Sequence, residues 1–278
     1  MKPNLAHPDR NTIKSLFNAI PARYDFLNSF FSLGLDGYWR RRLVSLALSE
    51  RKSEIASVAS LPRNDVPKGL RENATVIARR PKADEAIPSS RINARKSILD
   101  LGVGTGKSLL EFIKKDSYQY YVGCDFSENM LLKSKERIGD QAELLACDFH
   151  DLPFSDHAFD LVTGSFMLRS VQAMKIFLSE VGRVLKSNGR AIFLELTRPK
   201  NKLVWNLAYR PYLNFYIPAV GKIFSRHDHA YQFLSQSIQS FVDPADLKRD
   251  FEATGFQEVS YTSLSLGSAT IIQGRKHE

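Results

Sequence analysis

The stretch Ser97-Ile98-Leu99-Asp100-Leu101-Gly102-Val103-Gly104-Thr105-Gly106 decides the fold. A short apolar run ends in an acid, and three glycines then alternate with other residues. This is the pattern of a buried strand that turns sharply into a helix. Glycine lets the backbone take positive φ and lets a ligand come close where a Cβ would stand in the way. A lone turn of this kind is more often an ordinary strand–turn–helix corner, so the case for a cofactor depends on the residues further along the chain. A dinucleotide fold wants G-x-G-x-x-G. Here the spacing is G-x-G-x-G and Asp100 precedes it. An acid suits a pyrophosphate poorly and a cationic amino-acid group well. S-adenosyl-L-methionine carries an ammonium and a sulfonium, so Asp100 favours that cofactor over NAD.

Downstream, strands and helices alternate. The pattern predicts strands over 97–101, 120–124, 142–147, 159–163 and 191–195, with helices near 106–115, after Ser127 and near 172–185. Asp243, Pro244 and Gly255 mark the ends of a further helix over 243–254, and strands over 256–264 and 268–275 form a closing hairpin. The expected fold is α/β, a doubly wound, seven-stranded, mostly parallel sheet of Rossmann-like type, with N-terminal helices and a helical cap. Ligands bind such sheets at the carboxyl ends of the strands. Asp100, Asp125, Asp148, Ser165 and Glu195 all fall there.

Upstream, residues 1–50 form an N-terminal helical region, with one helix before Pro21, one after it and a third over 36–48. Residues 51–97 hold eleven Lys/Arg, five Asp/Glu and four prolines, and no aromatic residue. Such a stretch buries too little surface to offset its ordering entropy and is expected as a disordered basic insertion. It carries +6 of the net +9, which weakens any nucleic-acid inference from the overall charge. Residues 98–278 form the catalytic core. Within it, 202–240 is the cap, crowded with Trp205, Tyr209, Tyr212, Phe215 and Tyr216. Such a cap suits a large apolar substrate, a membrane surface, or simple packing on the N-terminal helices. No apolar run is long enough to span a bilayer, and Met1-Lys2-Pro3-Asn4 opens no apolar signal core. Cys124 and Cys147 lack metal spacing and read as reduced, inert thiols, so the expected location is cytoplasmic, or peripheral at the inner face of a membrane.

Asp125 lies 19 residues after Gly106, the spacing of a carboxylate that accepts both ribose hydroxyls. Asp148 suits the adenine amino group, with Phe149 against the ring. A single strand-end Asp is more often a turn former; three in register beside a glycine turn are harder to dismiss.

These residues carry a family resemblance. Asp100–Gly106, Asp125, Asp148 with Leu152-Pro153-Phe154, and Phe159-Asp160 resemble the class I S-adenosylmethionine-dependent methyltransferases. Phe17-Asn18-Ala19-Ile20-Pro21-Ala22-Arg23-Tyr24-Asp25-Phe26-Leu27-Asn28, Ser165-Phe166-Met167-Leu168-Arg169 and Tyr231-Gln232-Phe233-Leu234-Ser235-Gln236-Ser237-Ile238 narrow it. Together they resemble the ubiquinone/menaquinone biosynthesis C-methyltransferases over nearly the whole chain except 51–97. The chain departs from the family's usual residues at Asp36, at Ser170 and at Lys186-Ser187-Asn188-Gly189.

The resemblance implies methylation of a ring carbon of a polyprenylated quinol. The acceptor would be demethylmenaquinol, 2-polyprenyl-6-methoxy-1,4-benzoquinol, or both. It implies cofactor binding by Asp100, Gly102, Gly104, Thr105, Gly106, Asp125, Asp148, Phe149 and Ser165. Arg169 would face a phenolate or a bound water, with a strand-end ion pair as the alternative. Tyr24, Asp25 and Asn28 would close the site. An apolar quinol and a membrane surface are the implied partners. Nucleic acid is not among them, and a homodimer stays open. Rival functions are methylation of another acceptor, a cofactor-binding module without turnover, and, disfavoured by Asp100, an NAD-dependent dehydrogenase.

Overall fold

The computed structural model describes residue 25 and residues 28–30, 32–58, 76–77, 95–216 and 243–277. Helix α1 (Leu35–Val58) opens the described core. The alternating unit then runs β2 (Ser97–Leu101), α2 (Lys107–Lys114), β3 (Tyr120–Asp125), α3 (Glu128–Ile138), β4 (Glu143–Ala146), β5 (Phe159–Ser165), α4 (Met174–Val184) and β6 (Leu185–Leu196). After the cap come α5 (Pro244–Ala253), β7 (Phe256–Leu264) and β8 (Ala269–Lys276). A two-residue strand β1 (Val76–Ile77) pairs with Leu144–Leu145 at one edge. The sheet order is β1-β4-β3-β2-β5-β6-β8-β7. Six strands run parallel, and the β7–β8 hairpin joins β6 antiparallel. The seven expected strands are all present, with β1 as an addition. Because α1 runs on to Val58 and β1 lies at 76–77, two pieces of 51–97 carry secondary structure.

Successive strands fall to one side of β2 and then to the other, which opens a crevice at the carboxyl end of β2. The residues of the central strands β2 and β3 are buried on both faces, as a parallel sheet covered by helices requires. Ile98 and Leu144 pack with Trp39 and Leu43 of α1 and Leu109 of α2. Leu99 and Leu101 pack on the opposite face with Phe177 of α4 and Phe251 of α5. Trp39, Leu43 and Ala47 recur every four residues, the spacing that gives α1 one buried stripe. Asp243 caps α5 by accepting from the Ala245 N–H at 2.8 Å, and Pro244 takes the first helical position. β6 starts six residues before its expected beginning, because the chain passes from α4 into extended backbone at Leu185.

The described part of the cap is a turn over Lys202–Val204 followed by two wide π-helical turns, Trp205–Tyr209 and Tyr212–Tyr216. Tyr209, Tyr212 and Tyr216 stack in series at 6.1 and 5.1 Å, and Phe30 stacks on Tyr216 at 6.0 Å. The cap therefore packs on the N-terminal segment. Tyr24, the helix expected before Pro21, the Tyr231–Ile238 stretch and cap residues 217–240 lie outside the described residues.

Candidate active site

Asp100, one residue before the end of β2, is buried, and among the described residues neither of its carboxylate oxygens has a hydrogen-bond partner. Burial pushes its pKa up to about 7; Arg40 works against this shift and Asp125 adds to it. A buried acid normally has its partner within the protein, and a ligand ammonium is the kind of partner this one lacks. Gly102 follows with φ +64°, and a Cβ there would stand 2.8 Å from the Met167 Cβ. Gly104 has φ +54° and no described side chain within 4 Å of where its Cβ would be, so the turn stays open at its crest. Gly106 caps α2 in the left-handed conformation.

Asp125 is buried at the end of β3 and joins this turn to the next helix. Oδ2 accepts from the Gly104 N–H and Oδ1 from the Ser127 N–H, each at 2.9 Å. Burial raises its pKa to about 6, against the bonds from Ser127, Gly104 and Phe126. Each carboxylate oxygen has a second lone pair, so ribose hydroxyls can still be accepted. Asp148 lies just past β4, and its Oδ1 accepts from the His150 N–H at 3.0 Å and lies 3.2 Å from His150 Nδ1. Phe149 packs edge-on to Phe126, at 6.2 Å between ring centroids. Ser165 Oγ accepts from Ser108 Oγ at 2.8 Å, and Ser108 in turn accepts from Arg40. Phe166 has φ +62°, a left-handed conformation that a bulky residue seldom adopts. Strained backbone of this kind concentrates at functional sites.

On the cap side the charges are paired. Arg169 Nε donates to Glu195 Oε1 at 2.6 Å, and the Arg169 backbone N–H donates to Oε2 at 3.1 Å, in a nearly dry setting. The strand-end ion pair named as the alternative for Arg169 is thus present. The charges of Arg169 and Glu195 also act on Tyr209, whose pKa burial pushes up to about 12. Asp25 bridges three groups. It accepts from Thr105 Oγ1 at 2.7 Å and from Arg137 at 2.6 Å, and Lys107 Nζ lies 3.7 Å away. Lys107 also pairs with Asp36 at 3.3 Å. Burial alone would raise the Asp36 carboxyl, but Lys107, Ser29 and Arg40 together hold it below the ordinary carboxylate value. Asn28 sits in the same N-terminal turn, its carbonyl accepting from the Ser32 N–H. Cys124 and Cys147 are buried and free, and burial raises the Cys124 thiol, as expected of an inert residue.

No pattern in the sequence singles out Arg40, Lys107, Arg137 or His150. Arg40 sits in a run of three arginines that looks like a solvated face, yet it reaches Ser108 and stacks 4.9 Å over the Phe166 ring. Glu195 was legible as a strand-end acid, but its partner was not.

A solved phosphoethanolamine N-methyltransferase from Haemonchus contortus, in complex with phosphomonomethylethanolamine and S-adenosylhomocysteine, shares the fold. Its TM-score is 0.50 and its identity 15%, over 66% of this chain and 49% of that one. The chain is 32% identical to a demethylmenaquinone methyltransferase from Thermotoga maritima over 259 residues, 93% of each. It is 29% identical to the ubiquinone/menaquinone biosynthesis C-methyltransferase UbiE of Desulfotalea psychrophila, over 95% of this chain and 90% of that one. Residues 79–276 match the model of the ubiE/COQ5 methyltransferase family. With the family model matched over residues 79–276 and relatives alike over nearly their full length, the chain belongs to the ubiE/COQ5 methyltransferase family and uses S-adenosyl-L-methionine as its methyl donor.

Proposed function

We propose that the protein methylates a ring carbon of a polyprenylated quinol in respiratory quinone biosynthesis. Likeness to demethylmenaquinone methyltransferases over 93% of the chain carries the proposal. The bound cofactor supplies a sulfonium methyl with a good leaving group. The protein has then to position the acceptor carbon in line and keep water out. Asp100 takes the ammonium, Asp125 the ribose hydroxyls, and Asp148 with Phe149 the adenine. Gly102, Gly104, Thr105 and Gly106 line the turn, and Ser165 lies at its rim. Arg169, fixed by Glu195, offers positive charge to a phenolate or to a water that takes its proton. Tyr24, Asp25 and Asn28 close the site over the acceptor. Purified protein given methyl-labelled cofactor and the two reduced acceptors should place label in a ring-methylated quinone. Demethylmenaquinol should be the better acceptor. Bound cofactor with no label in either product would overturn the proposal.

A peripheral membrane contact fits the same cap. From Thr197 to Tyr216 there is no acid, while Arg198, Lys200, Lys202 and Arg210 are present. Leu203, Leu207 and Phe215 are each more than 60% exposed. Cationic groups beside exposed apolar ones suit an anionic bilayer surface. Sedimentation with anionic vesicles should carry the protein down, and Leu207→Asp with Phe215→Asp should release it without lowering cofactor affinity. Sedimentation unchanged by the pair would remove the cap from this role.

A further inference from the structure

Asp148 is set apart from the other two acids of the site. Asp100 has no partner among the described residues and Asp125 is held by backbone N–H groups, whereas Asp148 faces a side chain that can both donate and accept. His150 Nδ1 lies 3.2 Å from Asp148 Oδ1, and the His150 backbone N–H reaches the same oxygen at 3.0 Å. The ring's other nitrogen, Nε2, is buried and has no partner among the described residues. With Nδ1 facing a carboxylate, the Nδ1–H tautomer is the one that fits, and it leaves Nε2 as a bare lone pair. The two donors come from one residue and converge on one oxygen, so they fix the plane of the carboxyl group beside Phe149. The short link over Asp148–Asp151, closed by the Asp151 N–H on the Asp148 carbonyl at 3.2 Å, holds the pair in place.

We infer that His150 is a positioning residue for adenine recognition. It orients the Asp148 carboxylate so that this acid accepts from the cofactor's 6-amino group, and it thereby selects an adenine base over one with an oxygen at that position. The inference rests on the assignment of Asp148 to the adenine. A carboxylate attracts an amino group and repels a carbonyl oxygen. Selection between the two bases therefore depends on the carboxylate staying in the base plane, where a merely structural contact would affect both ligands alike. Donor bonds to a charged acceptor are among the stronger ones, so loss of this one should be measurable.

The test compares binding of S-adenosylhomocysteine and S-inosylhomocysteine by calorimetry to the full-length protein and its variants. The ratio of two affinities on one variant is insensitive to a partial loss of folded protein. His150→Ala should weaken S-adenosylhomocysteine about tenfold and leave the inosyl ligand nearly unchanged, so that the ratio falls by about the same factor. His150→Asn, which keeps a donor near the Nδ1 position, should restore most of the ratio. Asp148→Asn should collapse the ratio further, since its amide can donate to the carbonyl oxygen. A collapse in Asp148→Asn with no change in His150→Ala would overturn the role of His150 alone. An unchanged ratio in Asp148→Asn would overturn the adenine assignment and this inference with it.

Discussion

Two halves of one crevice handle charge in opposite ways. On the floor, at the ends of β2 and β3, Asp100 and Asp125 are buried without a described cation in hydrogen-bond reach, and both titrate above the ordinary carboxylate value. On the cap and rim side, Glu195 is locked to Arg169, Asp25 to Arg137, and Asp36 to Lys107. The floor keeps an uncompensated charge that a cationic ligand can neutralise, whereas the rim neutralises its charges internally. The proposed cofactor site thus coincides with the acids that lack a described cation, while the paired acids tie its surroundings together.

The largest effect should come from breaking the driest pair. Arg169→Ala leaves the Glu195 carboxylate buried and uncompensated, which costs about 3–5 kcal/mol. Urea unfolding should show this loss directly. The double variant Arg169→Met, Glu195→Gln removes both charges and should recover most of the stability, because a buried pair contributes little net. If Arg169 also faces the acceptor, the double variant will fold and bind cofactor but turn over poorly. Full turnover in that variant would leave Arg169 as wall alone.

Asp100→Asn sharpens the contrast from the other side. It should lower affinity for the methyl donor and for S-adenosylhomocysteine by about 10- to 100-fold, the worth of a charged hydrogen bond. The same change removes an unpaired buried acid, so the ligand-free protein should melt a few degrees higher, about what 1 kcal/mol produces in a chain of this size. Weaker binding together with higher stability is the mark of a group kept for its ligand. A lower melting temperature would mean that Asp100 is paired inside the protein after all.

The two halves should also respond to pH with opposite sign. The folded Asp100 carboxyl titrates near 7 against 3.8 in the unfolded chain. The folded state therefore binds more protons in that window, and the stability Asp100 contributes at low pH is lost as pH rises through it. Asp36 is shifted downward, so its contribution is present above its unfolded value and is lost as pH falls through the folded one. On the proposal that Asp100 takes the cofactor ammonium, binding needs the ionised carboxylate. Cofactor affinity should then rise from about pH 5 to about 7 and flatten, with proton release near about pH 6 seen as a buffer-dependent binding enthalpy. Asp100→Asn should abolish the release that Asp100 supplies.

Legibility in the sequence divides along the same line. The floor is local: an acid, a glycine turn and a strand end lie within ten residues, so Asp100 to Gly106 and Asp125 could be placed from spacing. The strands were readable because β-branched and leucine-rich runs buried on both faces leave an apolar signature. The rim is non-local. Asp25 meets Arg137 across 112 positions and Arg40 meets Ser108 across 68, and no periodicity encodes such meetings. An arginine in a basic run has the same sequence appearance whether it faces water or a serine. Of the expected insertion over 51–97, residues 51–58, 76–77 and 95–97 are described, with Val76–Ile77 pairing on the sheet edge, and the remainder lies outside the described residues.

The smallest effect should come from the rim's most exposed link. Both oxygens of Asp25 are used, Oδ1 by Thr105 in the glycine turn and Oδ2 by Arg137 at the end of α3. The Asp25 and Arg137 side chains are about a quarter to a third exposed, so water replaces much of what a substitution removes, and the pair is worth less than about 1 kcal/mol in stability. Its effect should be kinetic. Asp25 is tied to the glycine turn that is proposed to hold the cofactor, so on that proposal its release should govern how fast a ligand escapes. Asp25→Ala should speed release of S-adenosylhomocysteine about fivefold in a stopped-flow displacement, with the melting temperature nearly unchanged. Arg137→Ala should act similarly, and the double variant should add little to either, because both remove the same latch. Additive effects would mean that Asp25 acts through Thr105 and Lys107 instead, and an unchanged release rate would mean that the N-terminal segment packs on the site without governing escape from it.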